Sequence, residues 1–103
     1  MNSTDIRNML EEILSRVRTD AKPLPIQIEL MDFYSLVVKH LNDADVLPEP
    51  ERLELMSRIY LLLAAISHRA KKPNLIPEYL RRGASSAPPN CPERQLCRDL
   101  GIM

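Results

Sequence analysis

Eight consecutive apolar residues, Ile59 to Ile66, constrain the fold of this chain more than any other feature of its sequence. They lie inside a segment, residues 50–71, that begins beside Pro48 and Pro50 and stops before Pro73, which is typical of a helix bounded by prolines. An α-helix turns about 100° per residue, so eight apolar residues in a row point in every direction around its axis. A helix that is apolar on all sides must be covered on all sides. The sequence therefore predicts that other elements surround this helix.

Two further helices are predicted before this one. Residues 4–20 carry apolar side chains at the i, i+3, i+4, i+7 spacing of a single stripe, and we expect this helix to stop before Pro23. Residues 26–43 repeat the spacing, and the short connections indicate that successive helices run antiparallel. Four more apolar residues widen the face of the second helix: Ile26, Ile28, Met31 and Leu36. We therefore expect the second helix to meet more than one neighbour.

The remainder of the chain carries weaker helical signals. Residues 76–82 and 92–100 are predicted to form short helices, each followed by a glycine, and the Pro- and Ser-rich stretch between them is typical of a linker. We therefore predict an all-α fold: a small three-helix bundle with one or two short C-terminal helices or an extended tail. Residues 4–83 would form the helical bundle domain. Residues 84–103 would form a Pro-rich linker with a short C-terminal helix, or an arm that becomes ordered on binding.

The predicted bundle leaves its third helix short of cover. Two helices cannot enclose a third, so either the C-terminal region folds back over it or another chain supplies the missing surface. Burial of one leucine or isoleucine contributes about 1.5–3 kcal/mol, which makes several exposed ones a serious cost. We expect the second solution, most simply in a homodimer.

This expectation leads to a function. The chain would be a small protein-binding adaptor, inhibitor or regulatory subunit that acts through apolar helix faces, as a homodimer or in a complex with another protein. Aromatic and aliphatic anchors carry most of the energy of such interfaces. The anchors expected here are Phe33, Tyr34, Tyr60, Leu61 and Leu62.

Charge is balanced over the whole chain but not along it. The 103 residues include 14 basic and 14 acidic side chains, so bulk attraction to nucleic acid is not expected. Residues 1–54 nevertheless carry 11 acidic and 6 basic side chains, and residues 55–103 carry 3 and 8. Helix-dipole matching and attraction between neighbouring helices explain such a division. The alternative is a nucleic-acid-associated regulator, or a protein that meets an acidic partner, with a basic patch formed by Arg69, Lys71, Lys72, Arg81 and Arg82.

The sequence contains no motif of a catalytic or cofactor site, so we do not expect an enzyme, a bound cofactor, a metal or a small-molecule substrate. Cys91 and Cys97 are expected to be ordinary free thiols. Two weaker alternatives stay open for them. One is a redox role, if a helix N-terminus lowers the pKa of Cys91, and the other is a zinc site shared with His40 and His68.

The cellular compartment is inferred from what the sequence lacks. The longest apolar run has eight residues, whereas a membrane span needs about 20. The N-terminus shows no basic stretch followed by an apolar run, so we expect no secretory signal. We expect a cytoplasmic protein without membrane contact, and the nucleus is the alternative compartment.

Overall fold

The computed structural model describes residues 3–19, 22–39 and 48–103. Within these ranges the chain forms five α-helices and one short 3-10 turn and no β-strand, which confirms the predicted all-α bundle. The helices are α1 (Ser3–Arg18), α2 (Pro23–Lys39), α3 (Glu49–Arg69), α4 (Ile76–Ala84) and α5 (Pro92–Asp99), and the 3-10 turn (Pro73–Leu75) leads into α4.

The second helix begins earlier than the sequence predicts. Its first residue is Pro23 rather than residue 26, because a proline at the first helical position has no N–H to lose and a backbone already set for the helix. The predicted C-terminal part of this helix, residues 40–43, lies outside the described residues. The boundaries predicted for the other four helices agree with the structure to within two residues.

The pairing between α2 and α3 shows that these helices run antiparallel. Gln27, early in α2, lines a groove together with Ser67, late in α3. Seven residues later in α2, the Tyr34 hydroxyl lies 2.9 Å from that of Tyr60, which is seven residues earlier in α3. An advance along one helix therefore corresponds to an equal retreat along the other.

Two arginines fix α1 parallel to α3. Arg7, in the first half of α1, donates a hydrogen bond to Glu54, in the first half of α3, at 2.8 Å. At the other end, Arg69 of α3 donates to the carbonyl oxygen of Val17 in α1. The first three helices thus run up, down and up, as the short connections predict.

The chain itself encloses α3. Leu61, Leu62 and Ile66 have no exposed surface, and only Tyr60 of the apolar run is partly exposed. α1 and α2 pack on one part of the circumference of α3, and α4 and α5 pack on the remainder. The expectation that a partner must cover α3 is therefore wrong, because the C-terminal region folds back over it. Phe33, Leu61 and Leu62, which were predicted as partner anchors, are core residues.

Gly83 allows α4 to lie close enough to cover α3. The sequence predicts that this glycine follows the end of the helix. In the structure it is buried inside α4 instead. A Cβ atom at this position would lie 2.5 Å from Cδ2 of Leu61 and 3.1 Å from its backbone nitrogen. A side chain has no room at these distances, so Gly83 is a packing residue rather than a helix cap.

The segment after α4 belongs to the same core rather than to a free arm. Its buried residues join the apolar cluster of the bundle: Ala87, Cys91, Leu96 and Cys97. Arg94 holds the turn before α5 in place by donating to three backbone carbonyl oxygens, those of Ala84, Ala87 and Pro88. These bonds satisfy the carbonyl group of the last residue of α4 and two carbonyl groups of the loop that follows it.

A buried ion pair ties α5 to α3. Glu93 has no exposed surface, and both its carboxylate oxygens accept hydrogen bonds from Nε of Arg58, at 3.0 and 3.1 Å. The guanidinium also contacts Glu54 at 3.7 Å, one turn earlier in α3. The geometry satisfies the buried carboxylate, which would otherwise carry a large desolvation cost.

Gly83→Ala is expected to lower the free energy of unfolding by about 2–3 kcal/mol, because extra atoms in a close-packed contact force side chains and backbone apart. Urea denaturation followed by circular dichroism measures this change. In a Leu61→Ala background, the side-chain atoms that the new methyl group meets are gone, so the same substitution should cost much less there. An equal cost in the two backgrounds would show that the contact with Leu61 is not the cause.

α3 ends in a left-handed residue that is not glycine. Lys71 has φ of 58°, its N–H bonds the carbonyl oxygen of His68 at 3.1 Å, and the N–H of Lys72 bonds that of Ser67 at 2.9 Å. This is a Schellman motif, in which glycine is preferred because a Cβ atom is strained in the left-handed region. α5 ends with the same pair of hydrogen bonds, but there the left-handed residue is Gly101, with φ of 76°.

The two helix ends predict opposite effects of substitution. Lys71→Gly should raise the free energy of unfolding by about 0.5–1 kcal/mol, because it removes the strained Cβ atom. Gly101→Ala should lower it by about 1 kcal/mol for the converse reason. Lys71→Ala is the control, since it removes the charge and keeps the Cβ atom. A gain in stability with Lys71→Ala equal to that with glycine would contradict this account.

Candidate protein interface

α2 carries apolar side chains on two opposite sides. Its inner side buries four of them: Ile26, Leu30, Phe33 and Val37. Its outer side carries Leu24, Ile28, Met31 and Val38, which are 57, 57, 44 and 37% exposed and are called the α2 stripe below. Leu24, Ile28 and Met31 each precede a buried residue of α2 by two positions. Residues two positions apart lie about 200° apart around a helix, so the stripe points away from the core. The second neighbour expected for this helix is not supplied by the described residues.

A groove of about 420 Å³ runs beside the α2 stripe, between α2 and the start of the C-terminal helices. The α2 stripe forms one wall, and Tyr79 of α4 and Lys72 form the other. Leu75, at the end of the 3-10 turn, lines the adjoining groove and is itself 55% exposed. The apolar surface of α2 therefore continues onto a neighbouring element.

Tyr79 also belongs to a tyrosine cluster that joins α2, α3 and α4. The rings of Tyr34 and Tyr60 meet edge to face with centroids 5.6 Å apart, and their hydroxyls share a hydrogen bond of 2.9 Å. The Tyr60 and Tyr79 ring centroids are 6.2 Å apart. The guanidinium of Arg82 lies 5.5 Å from the Tyr60 ring centroid and donates to the Tyr60 hydroxyl at 3.2 Å. The cluster, Tyr34, Tyr60, Tyr79 and Arg82, thus combines aromatic and cation–π contacts.

Glu78 orients the two arginines at the end of α4. Its carboxylate accepts hydrogen bonds from Arg81 at 2.7 and 3.1 Å and from Arg82 at 2.6 Å. These bonds, first from Arg81 and then from Arg82, lower the pKa of Glu78 to about 2. The ionised carboxylate offsets part of the positive charge of the two arginines and helps to hold Arg82 beside Tyr60.

A second groove lies on the other side of the α2 stripe, between α1 and α2. This cleft has a volume of about 390 Å³, and its apolar lining includes Met9, Ile13 and Leu36. Its rim is acidic and consists of Glu12, Glu29 and Asp32. Glu29 forms an ion pair with Arg16. The α2 stripe therefore lies between an acidic groove on the α1 side and a groove that Lys72 borders on the α4 side, and Asp32 lines both grooves.

The structure brings some of the predicted interface residues together and separates others. Tyr34, Tyr60 and Arg82 meet in the tyrosine cluster, and Arg81 and Lys72 lie nearby on the surface. Arg69 is directed towards α1, where it bonds the carbonyl oxygen of Val17, so it is not part of that surface.

Five surface residues were not predicted as interface residues from the sequence: Leu24, Ile28, Met31, Val38 and Tyr79. For Ile28 and Met31 there was a usable signal, since both widen the apolar face of α2. A helix with two apolar faces indicates either two neighbours or one neighbour and an interface.

The two cysteines are buried free thiols. Burial raises the pKa of Cys91 although this residue is the N-cap of α5, and it raises the pKa of Cys97 to about 11. The condition for the redox alternative, a pKa of Cys91 lowered by the helix N-terminus, is therefore not met, because desolvation outweighs the helix dipole here. His40 lies outside the described residues, and among those described no group of three or more ligand side chains is placed to hold a metal ion.

Comparison with protein-family models, with curated proteins and with solved structures finds no match for this chain. In the part of the chain that the structure describes, no helix has both the length and the apolar character needed to cross a membrane. A proposal about function therefore rests on the α2 stripe, its two grooves and the tyrosine cluster.

Alkaline titration is expected to report on the tyrosine cluster alone, because the chain has three tyrosines and no tryptophan, and all three belong to the cluster. The hydrogen bond with Tyr60 and then burial raise the pKa of Tyr34 above its ordinary value of 10. Ultraviolet absorbance of tyrosinate should therefore show the ionisation of Tyr34 above pH 10. A raised pKa stabilises the folded state below pH 10, and this contribution is lost as the pH rises further.

Tyr60→Phe should shift the titration of Tyr34 back towards pH 10, because it removes the hydroxyl partner. Tyr79→Phe is the matched control, since Tyr79 lies beside Tyr60 without bonding Tyr34. If Tyr60→Phe left the high titration unchanged, the hydrogen bond between the two hydroxyls would not be its cause.

Proposed function

We propose that this chain is a small protein-binding module, acting as an adaptor, inhibitor or regulatory subunit, and that it binds another protein or a second copy of itself through the α2 stripe. The observation that carries the proposal is the stripe itself, four large apolar side chains in a row on the outside of one helix. The core does not need them, because α2 packs inward with a separate row of residues. Contiguous exposed apolar surface of this kind is typical of interaction sites.

The residues around the stripe support the proposal. Centres of protein interfaces are enriched in tyrosine, methionine and arginine and poor in other charges, whereas their rims are polar. Met31 and Tyr79 line the groove beside the stripe, and Lys72 and Asp32 lie at its edges. Arg82 extends the same surface through its contact with Tyr60. The face therefore has an aromatic and apolar centre with charges around it.

The contacts of the arginines favour a protein partner over nucleic acid. Arg81 and Arg82 share the carboxylate of Glu78, and Arg58 pairs with the buried Glu93. Arg94 uses its donors on backbone carbonyl oxygens. An arginine engaged in this way contributes less positive charge or fewer donors to a phosphate backbone. A nucleic-acid-associated regulator is therefore the alternative function, and the experiment below distinguishes it from a protein-binding module.

Met31→Lys is expected to abolish binding, because it places a charge in the middle of the α2 stripe, where a partner would have to desolvate it. The wild-type chain and the variant are immobilised and exposed to a nuclease-treated lysate of the cells that express the protein. Quantitative mass spectrometry should show proteins, including native copies of the chain, that the variant retains at least about tenfold less well. The substitution lies on the outer side of α2, so folding should be unaffected.

Met103→Lys is the matched control, since Met103 is 43% exposed and does not line the groove. It should retain the same proteins as the wild-type chain. Equal retention by Met31→Lys and wild type would remove the support for an α2 interface. In a parallel sample of lysate without nuclease, retention that is absent from the treated lysate and that falls with Arg81→Ala and Arg82→Ala would instead support the nucleic-acid alternative.

A further inference from the structure

The α2 stripe has the spacing of a coiled-coil seam. Positions 24, 28, 31, 35 and 38 follow one another at intervals of four, three, four and three residues, which is the repeat that keeps one side of a helix against a parallel or antiparallel partner helix. Ser35 is the polar member, and its hydroxyl donates to the carbonyl oxygen of Met31 in its own helix at 3.1 Å. The serine therefore brings a small side chain into the seam without an unsatisfied donor.

Around Met31 the two flanks of this seam carry opposite charges, and further along α2 Lys39, seven residues after Asp32, adds one positive charge on the α1 side. Asp32 follows Met31 by about 100° around α2, on the side of the acidic cleft with α1. Lys72 lies across the stripe, on the wall of the α4 groove. Neither the Asp32 carboxylate nor the Lys72 ammonium forms an ion pair with any described residue. Lys71 adds positive charge on the α4 side, where Glu78 offsets the charge of Arg82, and Glu12 adds negative charge on the α1 side.

We infer that the partner of the α2 stripe is a second copy of this chain, packed with its α2 parallel to the first around a two-fold axis that runs along the seam. This inference rests on the proposed function and names its partner. A two-fold axis along the seam places the α1 side of one copy against the α4 side of the other. Asp32 of each copy then faces Lys72 of its partner, and the pairing occurs twice because the interface is isologous.

The antiparallel arrangement does not have this complementarity. Its two-fold axis is perpendicular to the seam, so the α1 sides of the two copies face each other and so do the α4 sides. Asp32, which lies next to Met31 at the middle of the seam, would then face Asp32, and Lys72 would face the α4 side of its partner rather than Asp32. Like charges across an interface disfavour the arrangement, so charge selects the parallel dimer.

Sedimentation velocity of the purified full chain, from low micromolar to near-millimolar concentration, tests for the dimer. Wild type and Met103→Lys should shift to twice the monomer mass as concentration rises, and Met31→Lys should stay monomeric. Asp32→Lys and Lys72→Glu should each weaken dimerisation by about fivefold, because the dimer contains two exposed pairs of modest energy. The double variant Asp32→Lys with Lys72→Glu restores opposite charges and should recover the wild-type constant.

Disulfide trapping tests the orientation. In the parallel seam Leu24 faces its own counterpart, so Leu24→Cys alone should form disulfide-linked dimers under mild oxidation, as should Val38→Cys alone, given that bonded cysteines need Cα atoms within about 7 Å. The native thiols are buried and do not compete. In the antiparallel seam each single variant stays unlinked and only a mixture of the two forms a dimer.

The outcomes separate this inference from the proposed function. A chain that is monomeric at every concentration, while still retaining other proteins through the α2 stripe, overturns the inference and leaves the proposed function standing. A monomer without stripe-dependent retention overturns both. A dimer that tolerates Met31→Lys forms elsewhere and overturns the inference, as does linkage only in the mixture of cysteine variants. Three results together support the inference. The dimer forms with rising concentration and is lost with Met31→Lys. The double charge variant recovers the affinity that each single charge variant loses, and single cysteine variants form linked dimers.

Discussion

The enclosure of the apolar run of α3, residues 59–66, is the constraint on which the rest of this structure depends. A helix that is apolar on every side cannot share its surface with solvent, so each later element has to be placed against it. Gly83 is decisive here, because α4 approaches α3 so closely that no side chain fits between them at this position. Cys97 contributes from α5, where its thiol donates to the carbonyl oxygen of Leu61 at 3.4 Å. Short helices with few large residues can therefore complete the cover by lying close to α3.

Once the apolar run of α3 is covered, α2 carries four of the large apolar side chains that stay exposed among the described residues, and the others, Leu53, Leu75 and Met103, lie in three separate segments. This helix has to seal one side of α3 and one side of α1, and its inner row does so. Its outer row has no such task, since it lies on the opposite side of the helix. The large exposed side chains of Ile28 and Met31 therefore do not compensate for an incomplete core. They are surplus to the fold, which is the physical reason for assigning them to an interface.

Much of the fold could be predicted from the sequence, because helical periodicity and prolines are local signals. The number of neighbours around α3 could not, because it depends on distances between helices. The sequence does not distinguish a glycine that ends a helix from one that allows close packing. For Gly83 the distance to Leu61 shows that it allows close packing. The tyrosine cluster shows the same limit. Their residue types made Tyr34, Tyr60 and Arg82 candidate interface residues. The hydrogen bonds between them depend on the antiparallel register of α2 and α3 and on the position of α4. The left-handed Lys71 carries no local signal at all.

The fold also determines which of the unevenly distributed charges reach the surface and where they lie. Within α1 and α2 five acidic side chains accompany four basic ones, and three more acidic side chains lie in the first turns of α3. Basic side chains cluster at the end of α3 and in α4. Several arginines form ion pairs or hydrogen bonds within the fold, as Arg58 does with Glu93. The excess of basic side chains in residues 55–103 therefore does not form a broad positive surface. What reaches the surface beside the α2 stripe is a pair of flanks of opposite sign. Apolar contact along the stripe would supply affinity, and the flanks would decide which way a partner helix lies.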